Sequence, residues 1–259
     1  MPAPVPTSTV LPGAEPVDLP AGPVGVLVVH GFTGTTQSVR PWAEHLAAAG
    51  LTVRAPRLPG HGTRWQDLQA TGWDAWYGEV ERAFDDLRGR CDTVFAMGLS
   101  MGGTLVLRLA ELRAGEVAGL VVVNASLGAA RRDALLLPLA SRVLGSLPGI
   151  ASDIAKPGVT ELAYDRTPLR AAASLQRAWP VVRRDLSRIT CPVLVYRSAV
   201  DHVVGPASVR LLLERVSSTD VTCVTLAESY HVATLDNDAA DIFGGSVDFA
   251  LSARARTAG

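Results

Sequence analysis

The most informative segment of this chain is Thr93-Val94-Phe95-Ala96-Met97-Gly98-Leu99-Ser100-Met101-Gly102. Its first half predicts a buried strand, and the residues from Met101 onward predict a helix. A strand that turns sharply into a helix at Gly-X-Ser-X-Gly presents the serine hydroxyl above the edge of a sheet, where Ser100 could act as a nucleophile. A glycine-rich turn that merely contains a serine is the alternative for so short a motif, so the surrounding sequence must decide.

Short apolar runs alternate with amphipathic stretches along the rest of the chain. The apolar runs predict strands at 24–29, 52–55, 93–97, 119–123, 192–196 and 221–226. The amphipathic stretches predict helices at 39–49, 73–88, 101–113, 207–216 and 238–253. Continuous apolar runs suit strands that are covered on both faces. The sequence therefore predicts an α/β fold with a mostly parallel central sheet and helices on both faces.

The alternation breaks at 128–185, where 134–147 is strongly apolar and interrupted by proline and glycine. We predict a small helical cap inserted here, within one α/β core formed by 24–127 and 186–259. An apolar cap above Ser100 would exclude water and accept an apolar chain. A pair of ordinary surface helices is the alternative.

Residues 1–23 contain seven prolines and no lysine or arginine. They lack the apolar core of a secretory signal and are too polar to span a membrane. We predict a loose or surface-draped extended arm, no transmembrane segment and a cytoplasmic location. Export by another route, or loss of a leader from a longer precursor, stays open.

The charge and cysteine content narrow the range of partners. A net charge of −1 and a pI near 6.5 give no basic surface for nucleic acid or anionic lipid head groups, so a neutral small molecule is the expected partner. The three cysteines are widely spaced in apolar runs, which is typical of small buried side chains rather than of disulfides or a zinc site. The sequence implies no metal and no organic cofactor.

The serine needs an imidazole to accept its proton, and His231 is the candidate base. It follows the predicted strand 221–226, so it lies on a loop at the same sheet edge as Ser100. The other histidines fall in a helix, in glycine-flanked loops whose geometry they are expected to hold, or beside the candidate acid: His45, His30, His61 and His202.

The imidazole in turn needs a carboxylate that fixes its tautomer, and Asp201 is the candidate. Asp201 follows the predicted strand 192–196, and the order Ser100, Asp201, His231 is the order of a triad on an open α/β sheet. The remaining candidates are expected to cap the last helix or to lie in a turn at the opposite edge: Asp236, Asp238 and Asp220.

Two backbone N–H groups are the candidate donors for an oxyanion. The N–H of Met101 follows the serine at a helix N-terminus, where the helix dipole favours negative charge. The second donor is the N–H of Phe32, in the loop 30–34 after the first strong strand. Each such donor stabilises a transition state by about 2.7–4 kcal/mol.

Five motifs, at 30–35, 56–63, 98–104, 201–204 and 229–236, carry a resemblance to a known family. Together they resemble the bacterial monoacylglycerol lipase and small carboxylesterase branch of the α/β-hydrolases. The resemblance implies a triad of Ser100, Asp201 and His231 with Phe32 and Met101 as oxyanion donors. It implies hydrolysis of a small ester with an apolar acyl chain, above all monoacylglycerol, through an acyl-enzyme.

The resemblance also implies two contacts to substrate. Glu161 matches a glutamate that meets glycerol hydroxyls, and Ile150 matches an apolar residue that narrows the pocket. A solvated role for Glu161 is the alternative. Other functions stay open at this point. One is a generic carboxylesterase for short and medium chains, and another is a ligand-binding receptor that retains the triad but turns over slowly. Thioesterase, perhydrolase and carbon–carbon bond hydrolase activities also stay open because they share the triad.

Overall fold

The computed structural model describes residues 8–128, 141, 144–149 and 152–257, with side chains described as far as residue 252. Its centre is a seven-stranded sheet formed by β1 (Val17–Leu19), β2 (Val24–Val29), β3 (Thr52–Ala55), β4 (Thr93–Leu99), β5 (Leu120–Val123), β8 (Val193–Ser198) and β9 (Val221–Leu226). The strand order is β1-β3-β2-β4-β5-β8-β9, and all strands are parallel except β1. The predicted α/β fold with a mostly parallel sheet is confirmed.

Helices cover both faces of the sheet, as predicted. The described helices are α1 (Arg40–Ala48), α2 (Trp65–Gln69), α3 (Trp73–Arg88), α4 (Met101–Leu112), α5 (Leu169–Asp185), α6 (Ala207–Arg215) and α7 (Ala239–Thr257). Apolar residues of α3, α4, α5 and α6 form one core layer, and those of α1 and α7 form the other.

The side chains of the central strand β2 pack into both core layers. Successive side chains of a strand point to opposite faces. Leu27 and Val29 therefore join the layer under α3 and α4, whereas Val26 and Val28 join the layer under α1 and α7. All six residues of β2 are buried, which explains why this strand reads as a continuous apolar run.

The N-terminal segment is not a loose arm over its described part. Val17–Leu19 pairs antiparallel with β3, with Val17 opposite Ala55. Ala14 is buried, and the N–H of Leu11 donates to Gly62 O at 2.8 Å. This part of the segment is attached to the sheet rather than loose, because β3 would otherwise be an edge strand with unpaired backbone groups, which β1 satisfies. The surface-draped form of the prediction is not contradicted.

The chain between β5 and β8 contains strands that the sequence did not predict. β6 (Ser146–Pro148) and β7 (Arg166–Pro168) form a two-stranded antiparallel ribbon, and α5 follows directly. The described part of this region is therefore a ribbon and a helix rather than helices alone. Most of the apolar stretch 134–147 and Ile150 lie outside the described residues.

Candidate active site

Ser100 occupies the turn between β4 and α4 in a strained conformation. Its φ is 56° and its ψ is −115°, a region that costs a residue other than glycine about 1–3 kcal/mol. Its N–H donates to Val123 O at 2.9 Å, so the neighbouring strand β5 holds the turn in place. This conformation places the Ser100 hydroxyl at the edge of the sheet, between the end of β4 and the start of α4.

The glycines around Ser100 are required by close backbone contact. A Cβ atom on Gly98 would collide with the backbone of Gly102, and a Cβ atom on Gly102 would collide with the carbonyl of Val29. Strand β4, helix α4 and strand β2 therefore meet at a distance that any side chain would prevent.

Ser100, His231 and Asp201 form a continuous hydrogen-bonded row. His231 Nε2 lies 2.9 Å from Ser100 Oγ, and His231 Nδ1 lies 2.9 Å from Asp201 Oδ2. The three side chains are nearly buried, at 8% exposure or less. Because a carboxylate only accepts, Nδ1–H donates to Asp201 and leaves Nε2 free to accept the serine proton.

The environment of Asp201 keeps its carboxylate ionised. Burial alone would raise the pKa of Asp201, but the hydrogen bond and positive charge of His231 and two backbone N–H groups outweigh it and lower the pKa. Those N–H groups belong to Val203 and Val204, which donate to Oδ1 at 2.8 and 2.7 Å. One oxygen is thus fixed by the local turn, and the other faces the imidazole.

The loop after β2 lies directly against the serine. A Cβ atom on Gly31 would stand 3.4 Å from Ser100 Cβ, so Phe32 follows the point of closest approach. In the part of the chain that the structure describes, neither the N–H of Phe32 nor that of Met101 donates to a protein acceptor. Thr33 sits at a φ of 63° and turns the loop back over the site.

Buried His30 holds this loop. Its Nδ1–H donates to Gly31 O at 2.9 Å, and its Nε2 accepts the N–H of Leu58 at 3.2 Å. Burial lowers the pKa of His30 to about 4, although the bond to Gly31 opposes the shift, so the ring is neutral as this tautomer requires. The structure thus gives His30 the loop-holding contacts expected from the sequence.

His61 supports the same loop through ring packing. Its ring lies edge-on to His30, Phe32 and Trp76, with centroids 5.0, 6.3 and 5.8 Å away. Burial and the neighbouring His30 ring lower the pKa of His61 well below its ordinary value. Both rings are therefore neutral, and their contacts are those of loop-supporting residues.

A cavity of about 180 Å³ opens above the serine. Its lining includes Phe32, Ser100, Asp153, Glu161 and His231. Burial raises the pKa of Glu161 to about 7, against the opposing charge of His231 and a hydrogen bond with the Ser38 hydroxyl. The carboxyl group is therefore a polar feature on the wall of a small cavity, close to the triad.

The rejected sequence candidates lie outside the triad. His45 on α1 packs against the Phe243 ring of α7, and His202 pairs with Asp153. Asp236 was predicted to cap the last helix, but its side chain does not. Its carboxylate instead accepts backbone N–H groups from both sides of the site, those of Ala155, Lys156, Tyr230 and Asn237. The capping prediction was wrong because the Asp236 carboxylate is bonded to these N–H groups, all of which lie outside the helix that begins at Ala239.

Asn124 is a site residue that sequence reasoning missed. It follows β5 at a φ of 47°, a conformation that asparagine tolerates better than most residues. Its Nδ2 donates to His231 O and to Ser198 Oγ, both at 2.9 Å, while its Oδ1 accepts the N–H of Ser198. The available signal was its position immediately after a predicted strand that ends at the site edge.

No cluster of three or more histidine, cysteine, aspartate or glutamate side chains among the described residues could hold a metal ion. None of the described helices combines the length and apolarity needed to cross a membrane.

The chain is similar to several known proteins. The family model described as "Serine aminopeptidase, S33" matches residues 24–238. A thermostable monoacylglycerol lipase of Bacillus sp. (strain H-257) is 44% identical over 93% of this chain and 95% of that protein. A carboxylesterase of Bacillus subtilis (strain 168) is 27% identical over 86% of this chain and 91% of that protein.

One solved structure is also similar to this chain. It comes from work on two metagenome-derived lipolytic enzymes, LipS and LipT. It superposes with a TM-score of 0.92 and 42% identity, covering 94% of this chain and all of that chain.

Proposed function

Since the chain belongs to the serine aminopeptidase S33 family of α/β-hydrolases, on its bacterial monoacylglycerol lipase branch, we propose that it cleaves monoacylglycerols to fatty acid and glycerol. It is a carboxylic ester hydrolase. The observation that carries the proposal is the row Asp201–His231–Ser100, closed by hydrogen bonds at a strained strand–helix turn.

In the first half of the reaction Ser100 Oγ attacks the ester carbonyl carbon while His231 Nε2 takes the hydroxyl proton. The imidazolium so formed faces the Asp201 carboxylate, which stabilises it. The tetrahedral intermediate collapses, the carbon–oxygen bond to glycerol breaks, and His231 returns the proton to the departing alcohol oxygen. An acyl group remains on Ser100.

In the second half a water molecule attacks the acyl-serine carbonyl while the same Nε2 accepts its proton. Collapse of this second intermediate releases the fatty acid and returns the proton to Ser100. In both halves the negative oxygen lies toward the N–H groups of Phe32 and Met101. These donors need not break other protein hydrogen bonds to receive it, which is the preorganisation that oxyanion stabilisation depends on.

Glu161 is the proposed contact for glycerol. Its carboxyl group shares the cavity wall with Ser100, and burial raises its pKa to about 7. A monoacylglycerol has two free glycerol hydroxyl groups that such an acceptor can bind, whereas the ester of a simple alkyl alcohol has none. The named activity of the 44% identical relative supports the same substrate.

Chain-length profiling with monoacylglycerols tests the proposal. Each methylene buried in an acyl pocket stabilises the bound ester by about 0.8 kcal/mol, or about fourfold in kcat/KM per carbon until the pocket is full. We expect kcat/KM to rise with acyl length and to exceed that for acetate esters of simple alcohols. Equal rates for acetates and monoacylglycerols would reduce the protein to a generic carboxylesterase.

Two further readouts separate the remaining alternatives. Aminoacyl p-nitroanilides test the peptidase chemistry in the family's description, and we expect their turnover to be far slower than that of esters. A ligand-binding receptor would release about one product molecule per chain and then stop, whereas an enzyme sustains turnover. The cytoplasmic location stays a prediction, which cell fractionation would check.

A further inference from the structure

Asp153 joins the two loops that carry the proposed acid and base. It lies in the chain between β5 and β8, and its side chain is only 11% exposed. Its Oδ2 accepts the N–H of His231 and the N–H of His202, each at 3.2 Å. Its own backbone O accepts the N–H of Val232 at 3.0 Å.

The contact to His202 fixes the turn that begins at Asp201. Three successive N–H groups of this turn point at carboxylates: that of His202 at Asp153, and those of Val203 and Val204 at Asp201 itself. The Asp201 carboxylate is therefore fixed relative to its own turn, and Asp153 fixes that turn relative to the His231 backbone.

The peptide of His231 is held on both sides. Asp153 binds its N–H, and Asn124 at the end of β5 binds its carbonyl oxygen at 2.9 Å. The His202 ring adds a second contact, since its Nδ1 lies 2.8 Å from Asp153 Oδ1. That ring is 54% exposed, so solvent screens the pairing and the buried backbone contacts matter more.

We propose that Asp153 is a positioning residue that holds the Asp201 turn and the His231 loop in register, so that the imidazole reaches both Asp201 and Ser100. The inference rests on the proposed function, because it assigns Asp153 a role only through that triad. Asp153 also lines the cavity, so a direct contact with the acyl chain or glycerol is the competing role.

Asp153→Ala and Asp153→Asn distinguish these roles. Alanine leaves both backbone N–H groups without their acceptor, and a displacement of reacting groups by about 1 Å costs up to about 100-fold. We expect D153A to lower kcat by about tenfold or more with little change in KM. Asparagine keeps one oxygen for the two N–H groups, so D153N should recover to within about threefold of the unsubstituted protein.

The measurement uses p-nitrophenyl acetate and a long-chain monoacylglycerol, with rates expressed per site titrated by a serine-directed phosphonate. A positioning role lowers kcat by the same factor for both esters. Should D153A fail to fold, D153S is compared in its place. Asp165, an exposed aspartate of the same segment, supplies the matched control D165A, which should behave as the unsubstituted protein.

Three results would overturn the inference. They are a D153A enzyme within about twofold of normal kcat, a defect confined to KM or to the long-chain ester, and a D153N enzyme as slow as D153A. An unsubstituted protein that hydrolyses neither ester would instead defeat the proposed function, which keeps the two failures distinct.

Discussion

His231 Nε2 lies 2.9 Å from Ser100 Oγ, although 131 positions separate the two residues in the sequence. Both follow parallel strands, β4 and β9, whose carboxyl ends lie at the same edge of the sheet. The topology therefore brings the proposed nucleophile and the proposed base together.

Replacing Ser100 tests both chemistry and strain. S100A and S100G should each lose about 10⁶-fold in kcat while remaining folded, because removing a triad nucleophile costs about that much. Glycine tolerates a φ of 56°, so the free energy of unfolding of S100G should exceed that of S100A by about 1 kcal/mol. Urea denaturation of the two variants checks this, and equal stability would remove the case for strain at the turn.

Asp201→Asn tests the tautomer. The amide nitrogen would donate to His231 Nδ1, so the ring proton would move to Nε2 and block acceptance of the serine proton. We expect kcat to fall by about 10⁴-fold, with a melting temperature close to normal because Val203 and Val204 still find an oxygen. D165N is the matched control. A loss below tenfold would show that the imidazole does not depend on this carboxylate.

If Glu161 contacts glycerol, KM should depend on pH for the glycerol ester and not for an ester that lacks glycerol. Burial raises the pKa of Glu161 to about 7, so ionisation above that pH creates a stronger acceptor for glycerol hydroxyls. The KM for monoacylglycerol should fall between pH 6 and 8 relative to the KM for a p-nitrophenyl ester of the same chain. E161Q should abolish this difference. The same pH trend for both esters would contradict the glycerol contact.

Glu111 lies outside the candidate active site, and we expect it to make the stability of the fold depend on pH. Its side chain is fully buried, with Oε2 at 2.8 Å from Arg108, and burial raises its pKa to about 7 despite that arginine. A carboxyl whose pKa is higher in the folded than in the unfolded protein destabilises the fold as pH rises from about 4.5 to about 7.

E111Q should therefore gain in stability relative to the unsubstituted protein as pH rises, by up to about 3 kcal/mol between pH 5 and 8. Urea unfolding of both proteins at the two pH values measures the difference. A gap that does not change with pH would show that Glu111 titrates normally.

Much of the fold could be predicted from sequence, because buried parallel strands are continuous apolar runs. The predicted strands 24–29, 52–55 and 221–226 and the helix 73–88 coincide with β2, β3, β9 and α3. The gathering of Ser100, Asp201 and His231 was predictable for the same reason, since each follows a recognisable strand.

The contacts that hold those three residues could not be predicted. Asp153, Asp236 and Asn124 act on backbone N–H and C=O groups of distant loops, and backbone groups carry no residue-specific signal. Strand β1 is three residues long, too short for an alternating pattern to stand out. Its pairing with β3 follows from an unfilled sheet edge, which is a property of the assembled sheet.

Labelling of the protein with a serine-directed phosphonate, followed by mass spectrometry and crystallography, tests the role of Ser100 directly. We expect one phosphonyl group per chain on Ser100 Oγ, with its oxygen directed at the N–H groups of Phe32 and Met101, and complete loss of esterase activity. Labelling of another residue, or full activity after Ser100 is modified, would contradict it.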